Sequence, residues 1–150
     1  MSKYPKLSPS LNSRLGLHLT LKERLLEQQG SHLREVRAAL EREHAVVDLL
    51  SDLLDESGQL LAPGAQVSGI SLNNCGQFKK LLYNGLVQST RQSRMLQQQC
   101  IAATEELLIC RRQVHHLKAV LLTHRQERTR KRERRVNEDW LIHARNNRAS

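Results

Sequence analysis

The sequence predicts an all-α fold, namely a long antiparallel two-helix coiled coil (an αα-hairpin) whose second helix overhangs the first with a basic end. Aromatic residues make up 3% of the 150 residues and hydrophobic residues 39%, so the bulky side chains of a compact α/β core are scarce. Two long tracts carry apolar residues at seven-residue intervals, and no stretch alternates with the period of two that is typical of a strand. We therefore expect residues 1–150 to form a single coiled-coil domain.

The first tract predicts a helix over about residues 10–56. Ser8 can cap its amino end, and Pro9 suits the first helical position because the missing N–H has no partner there. The more regular heptad row is Leu19, Leu26, Leu33, Leu40, Val47 and Leu54. A half-polar second row is Leu15, Lys22, Gln29, Val36, Glu43 and Leu50. Gly30 costs about 1 kcal/mol relative to Ala, but the heptad frame passes through it unchanged, so we expect a weak point and not a break.

The second tract predicts a helix over about residues 77–142, with Asn74 and Gln77 as a possible capping pair. One heptad row is Leu82, Ser89, Leu96, Ala103, Cys110 and Leu117. The other is Leu86, Ser93, Cys100, Leu107, Val114 and Leu121. The alternating steps of three and four residues are typical of a left-handed coiled coil. The two rows therefore predict a seam that packs on the first helix.

A hinge is predicted over residues 57–76, which are rich in Gly, Ser and Asn. Folding the chain about Gly64 places Leu15 near the level of Leu117 and leaves everything beyond about Thr123 without a partner helix. That overhang carries much of the formal net charge of +9. Its basic residues up to position 135 are Arg125, Arg128, Arg130, Lys131, Arg132, Arg134 and Arg135. The shape suggests a basic tip that contacts an acidic partner.

Enzymatic chemistry is not indicated by any motif. Gly64 and Gly69 have the spacing of a phosphate-binding loop, but Ile70 stands where the essential Lys would be, and no strand precedes the loop. The adjacent His115 and His116 point about 100° apart on a helix, and no further ligand completes a metal site. We therefore expect no catalytic residue, no metal, no cofactor and no small-molecule substrate.

The compartment is inferred from three cysteines and from hydropathy. Cys75, Cys100 and Cys110 are an odd number without metal or redox spacing, which fits a reducing cytoplasmic setting. No segment has the roughly 18 apolar residues that a membrane span needs, and the amino terminus does not read as a signal peptide.

The basic overhang has three competing interpretations. Leucine-zipper proteins bind DNA with a basic helix, but there the basic region precedes the zipper and two parallel chains fork apart. Binding to an anionic lipid surface would need an apolar face, whereas basic residues occur around most of this segment. A merely solvated charged end remains the third interpretation. A basic nucleic-acid-binding or scaffold protein is thus the alternative to a protein-binding coiled coil.

The second tract resembles the FliJ family of flagellar type III export proteins. The family pattern at the start of the second helix is an aromatic, a Leu four residues later, a small residue followed by an aliphatic one, and a Gln. This pattern is matched here by Phe78, Leu82, Gly85, Leu86 and Gln88. The segment 69–71 before it and the acids spaced among basic residues near the carboxyl end are also similar. Two departures are Cys75, where the family usually has an aromatic, and Ser89, where it often has a polar ring.

The resemblance implies a stalk that works in the cytoplasm and peripherally at the inner membrane during flagellum assembly. Its partners would be the hexameric flagellar export ATPase, the cytoplasmic domain of the export-gate membrane protein, and export chaperones. The implied gate-binding residues are Phe78, Leu82, Gly85 and Ser89. The implied ATPase-binding residues are Leu15, Arg125, Arg128, Arg132, Arg135, Glu138 and Asp139. Injectisome stalk proteins share this layout and remain an alternative, and nucleic acid is not an expected partner.

Overall fold

The computed structural model describes residues 9–60 and 69–149, and nearly all of them lie in two α-helices. Helix α1 is Pro9–Leu60, with 52 residues, and helix α2 is Gly69–Arg148, with 80 residues. These described residues contain no strand. The two helices pack antiparallel, as an αα-hairpin, which confirms the fold class predicted from the heptad rows.

Both helices extend further than the sequence pattern indicated. Helix α1 continues four residues beyond the predicted end, and α2 begins at Gly69, so the predicted hinge over residues 57–76 is largely helical. The expected capping pair Asn74 and Gln77 is wrong, because both residues lie inside α2. A glycine inside a helix costs only about 1 kcal/mol, which continued backbone hydrogen bonding offsets. The expected cap at Ser8 and the turn centre at Gly64 lie outside the described residues.

The seam between the helices follows the predicted heptad rows. Every residue of the four rows is buried or half-buried. The most deeply buried apolar side chains of the described residues are Leu33, Val36, Leu82, Ala103, Cys110, Val114 and Leu121. Cys110 packs as a small apolar residue, and Cys100 is half-buried, as their places in the rows predicted. The seam therefore buries both rows of each helix against the other helix.

The chain divides into two compact units, each built from part of both helices. The first contains the described residues of Met1–Glu27 and Leu108–Ser150. Here Lys22 Nζ donates a hydrogen bond of 3.0 Å to Gln113 Oε1, and Lys118 Nζ lies 3.6 Å from Glu23 Oε1. These two contacts are on the surface beside the seam. They show which residues of the two helices face each other in this unit, but each exposed pair contributes only about 0–1 kcal/mol to stability.

The second unit is Gln28–Leu107, in which the carboxyl end of α1 packs on the amino end of α2. Leu33 and Leu82 are among its buried side chains. Gly85 faces Leu50 across the seam, because a Cβ atom added there would lie 3.5 Å from Leu50 Cδ1, an ordinary van der Waals contact.

The unpaired part of α2 begins slightly later than predicted. In the first unit, Thr123, His124 and Glu127 are half-buried, whereas from Arg128 to Ala149 every side chain except that of Ala144 is exposed. The difference arises from the register of the two helices. Leu19 lies beside Leu121 and Leu122, so α1 reaches further along α2 than folding about residue 64 predicts. The residues from Arg128 to Arg148 form a free helical end about 30 Å long at 1.5 Å per residue.

Replacing Ser93 by Ala is expected to raise the free energy of unfolding by about 1 kcal/mol. Ser93 lies in the seam, its exposed fraction is 8%, and its buried Oγ atom has no hydrogen-bond partner. A buried hydroxyl without a partner costs about 1–3 kcal/mol, which Ala avoids. Urea unfolding followed by circular dichroism measures the change. The control is Ser31→Ala, at an exposed site of α1, which reports the gain in helix propensity alone. Equal gains for the two variants would refute the seam argument.

Candidate protein-binding surfaces

The free end of α2 presents a stripe of arginines, which we call the basic stripe and define as Arg125, Arg128, Arg132 and Arg135. Their spacing of three, four and three residues places them along one side of the helix. The positions of Arg128 and Arg135 continue the seam row that ends at Leu121. The basic stripe therefore extends the line of the seam beyond the point at which α1 stops covering it.

All four arginines of the basic stripe are exposed. Within the described residues, none of them takes part in an ion pair. Leu15, which the resemblance also assigns to ATPase binding, is half-buried on α1 in the same unit. Glu138 and Asp139 are exposed further along the free end, so acidic groups follow the arginines. The arginines of the stripe are thus exposed and free of ion pairs with acids of the described chain.

The residues predicted to bind the export gate do not form one surface. Phe78 is 50% exposed, whereas Leu82 is 7% exposed and belongs to the seam. Gly85 and Ser89 are half-buried on the seam side, and Gly85 faces Leu50. The structure therefore leaves only Phe78 of these four residues available as an exposed apolar anchor.

Two apolar residues beside Phe78 were missed by the sequence reasoning. Ile70 is 78% exposed and Leu81 is 70% exposed, and both lie on the same side of α2 as Phe78. We call Ile70, Phe78 and Leu81 the Phe78 surface. The signal that could have revealed it is the spacing of eight and three residues, which keeps these side chains on one face and out of the heptad rows.

Side chains that could bind a metal ion are not clustered in the described part of the chain. Among the described residues, no group of three or more His, Cys, Asp or Glu side chains is placed to hold a metal ion. His115 and His116 are exposed, and the three cysteines are free. No described helix has both the length and the apolar character needed to cross a lipid bilayer. The basic stripe and the Phe78 surface are the candidate binding surfaces at the residues that the resemblance indicates.

Comparison with protein-family models, with curated proteins and with solved structures found no match. The features of the chain that bear on function are the residues between Phe78 and Gln88, which resemble the FliJ pattern, and the geometry of the two surfaces. The hairpin itself does not discriminate between functions, because coiled coils share heptads without common ancestry.

Proposed function

We propose that the chain is a non-enzymatic stalk of a type III protein export apparatus that acts in flagellum assembly. In this proposal the basic stripe binds the ring of the export ATPase, and the Phe78 surface binds the cytoplasmic domain of the export-gate protein. The chain also escorts export chaperones, as the FliJ family does. The observation that carries the proposal is the basic stripe, which continues the seam on a free helical end.

Electrostatics explains why such an end suits an acidic pore. A single exposed ion pair contributes only about 0–1 kcal/mol, so one arginine would give little binding. Several arginines on one stripe act together, and their field steers an acidic partner toward the tip. Because the helix is bare there, all sides of it are open to a ring that surrounds it.

The Phe78 surface supports the second contact of the proposal. Aromatic residues, Phe included, are enriched in the cores of protein interfaces, so the exposed Phe78 is a suitable anchor for a partner. Phe78 and the basic stripe belong to different compact units, so substitutions can change one surface while the residues of the other surface stay the same. Binding to the gate and binding to the ATPase are therefore separable in experiments.

Nucleic-acid binding is the second candidate, because the same arginines could contact phosphates. The two candidates differ in what the free end does to ATP hydrolysis. Flagellar and injectisome export ATPases can be compared in the same assay, and the one that responds identifies the export system.

The test measures ATP hydrolysis by a purified export ATPase with and without the chain. We expect the full chain to stimulate hydrolysis and to hydrolyse nothing by itself. Ending the chain after Glu127 should abolish stimulation and leave the seam folded, because the half-buried positions are retained.

In the full chain, Arg128→Glu combined with Arg135→Glu should weaken stimulation at least tenfold. Salt should weaken it too, since exposed charges are screened within about 10 Å at 0.1 M.

The control for the charge reversal is Arg34→Glu combined with Arg37→Glu, at exposed positions of α1 in the other unit. This variant carries the same change in net charge and should stimulate normally. Stimulation by the shortened chain equal to that of the full chain would refute the ATPase assignment. Tight, steeply salt-dependent binding to duplex DNA without any effect on hydrolysis would favour the nucleic-acid candidate.

A further inference from the structure

A second apolar row runs along α2 in the first unit, outside the seam. Leu108, Leu122 and Val136 are 43%, 58% and 65% exposed and are separated by two heptads each. The heptad positions between them are His115 and Thr129, both exposed. We call these five residues the outer row. Such regular spacing on an exposed face has no role in the pairing of α1 with α2.

The outer row lies next to the seam but is not covered by α1. Its members at 108, 115 and 122 each follow a seam residue by one position, so they point about 100° away from the seam row. Because α1 covers the seam row as far as Leu121, the outer row up to Leu122 faces out beside the junction of the two helices. Its apolar side chains remain exposed in the hairpin, which leaves them available to another chain.

Two shallow depressions of the surface lie on the outer row. The first is lined by Leu19, Lys118, Leu121, Leu122 and Arg125. The second is lined by Thr129, Arg132, Glu133, Val136 and Asn137. Each contains one of the exposed apolar members of the row, and these two members are two heptads apart. An incoming helix with an apolar residue at every seventh position can therefore place one side chain in each depression.

Charge specifies the kind of helix that fits. On the side of the outer row nearer the seam, four exposed basic residues also recur at every seventh position. We call these four residues the basic row: Arg111, Lys118, Arg125 and Arg132. Lys118 lies 3.6 Å from Glu23, but both side chains are about half exposed, so the pair can open for a competing acid at small cost. A partner with acidic residues beside its apolar row is complementary to this arrangement.

The first depression joins the outer row to the established seam. Leu19 and Leu121 belong to the seam, and Leu122 belongs to the outer row, yet all three line the same depression. A helix seated there would contact both α1 and α2 and complete a local three-helix arrangement. Duplex DNA offers no apolar surface to Leu122 and Val136. The polar residues His115 and Thr129 interrupt the continuous apolar face that a flat lipid surface needs.

We propose that the outer row of α2 binds an acidic amphipathic helix of another protein. The apolar side chains of that helix insert beside Leu122 and Val136, and its acidic side chains pair with the basic row that includes Arg125 and Arg132. The site shares Arg125 and Arg132 with the basic stripe, but it does not depend on a role in protein export, so it goes beyond the function proposed above.

The experiment titrates the full chain with a synthetic helical peptide of about four heptads. The peptide carries Leu at every seventh position and Glu at the positions beside each Leu. Trp140 is the single Trp of the chain and follows Val136 by one helical turn, so its fluorescence reports occupation of the second depression. Calorimetry supplies the affinity. We expect saturable one-to-one binding, and we expect a peptide with Lys in place of Glu to bind at least tenfold more weakly.

Leu122→Asp is expected to weaken binding of the acidic peptide at least tenfold. The matched control is Ile109→Asp, because Ile109 is 55% exposed on the same helix but points away from the outer row. It should change the affinity less than twofold. Both sites are exposed, and circular dichroism checks that both variants keep the hairpin. Equal weakening by the two variants would overturn the proposal.

A second pair of variants tests the basic row. Arg125→Glu combined with Arg132→Glu should weaken peptide binding at least tenfold, whereas Arg130→Glu combined with Arg134→Glu, on the opposite side of the same segment, should have a much smaller effect. Unstructured polyglutamate and duplex DNA serve as competitors. If either displaces the acidic helix as effectively as the unlabelled peptide does, charge alone explains the binding and the helix site is refuted.

Discussion

Replacing Leu33 by Ala is expected to lower the free energy of unfolding by about 3 kcal/mol. Leu33 is 4% exposed in the seam of the second unit. The substitution removes the burial energy of the lost methyl groups and leaves a cavity, and such changes cost about 2–5 kcal/mol. A two-helix seam has no further layer behind it, so some collapse of the cavity keeps the expected loss in the middle of this range. The measurement is urea unfolding followed by helical circular dichroism.

The control for this prediction is Leu49→Ala, which makes the same chemical change on the same helix. Leu49 is 59% exposed, so it contributes little to the seam. Leu and Ala have similar helix propensities, and we expect a loss below about 1 kcal/mol. Similar losses at both positions would show that the face assigned to the seam does not stabilise the protein.

Replacing Phe78 and Leu82 one at a time is expected to separate binding from stability. Leu82→Ala should lower the free energy of unfolding by about 2–4 kcal/mol, because its side chain is 7% exposed. Phe78→Ala should cost less than about 1 kcal/mol, because its side chain is 50% exposed. If Phe78 anchors the gate protein, its removal should weaken binding to the isolated cytoplasmic domain of the gate at least tenfold. Urea unfolding and a binding titration measure the two effects.

The matched control is Tyr83→Ala. Tyr83 is an aromatic residue that is 60% exposed on the same segment but points away from the Phe78 surface. Tyr83→Ala should leave gate binding unchanged. The variants Phe78→Ala, Leu82→Ala and Tyr83→Ala should all stimulate the export ATPase as long as they remain folded. Gate binding that survives Phe78→Ala would remove the Phe78 surface from the proposed function. If Phe78→Ala instead lowered the free energy of unfolding as much as Leu82→Ala does, Phe78 would belong to the packed seam.

The heptad rows could be predicted completely from the sequence. Leu33, Leu82 and Cys110 were assigned to the seam from spacing alone, and all three are buried. The period of an apolar pattern determines which face of a helix is buried, and this property belongs to each helix before it meets a partner. For the same reason the sequence predicted a hairpin with a free basic end and a long second helix.

The helix ends depended on the folded chain. Residues 57–60 and 69–76 are helical despite Gly58 and Gly76. A turn-rich composition lowers the propensity of a helix by about 1 kcal/mol per glycine, and this is too little to stop a helix that is already nucleated. Helix propensity therefore predicted roughly where the chain turns between the two helices, but it did not predict the last residue of α1 or the first residue of α2.

The composition of the candidate surfaces was decided by the register between the helices. Spacing placed Phe78, Leu82, Gly85 and Ser89 on one stripe, yet packing against α1 takes Leu82 and Gly85 into the seam and leaves Phe78 exposed. The same register decides that the free end begins at Arg128 and that Leu19 lies beside Leu122. Periodicity describes one helix at a time. Which side chains stay exposed depends on the contacts between two helices, and those contacts exist only in the tertiary structure.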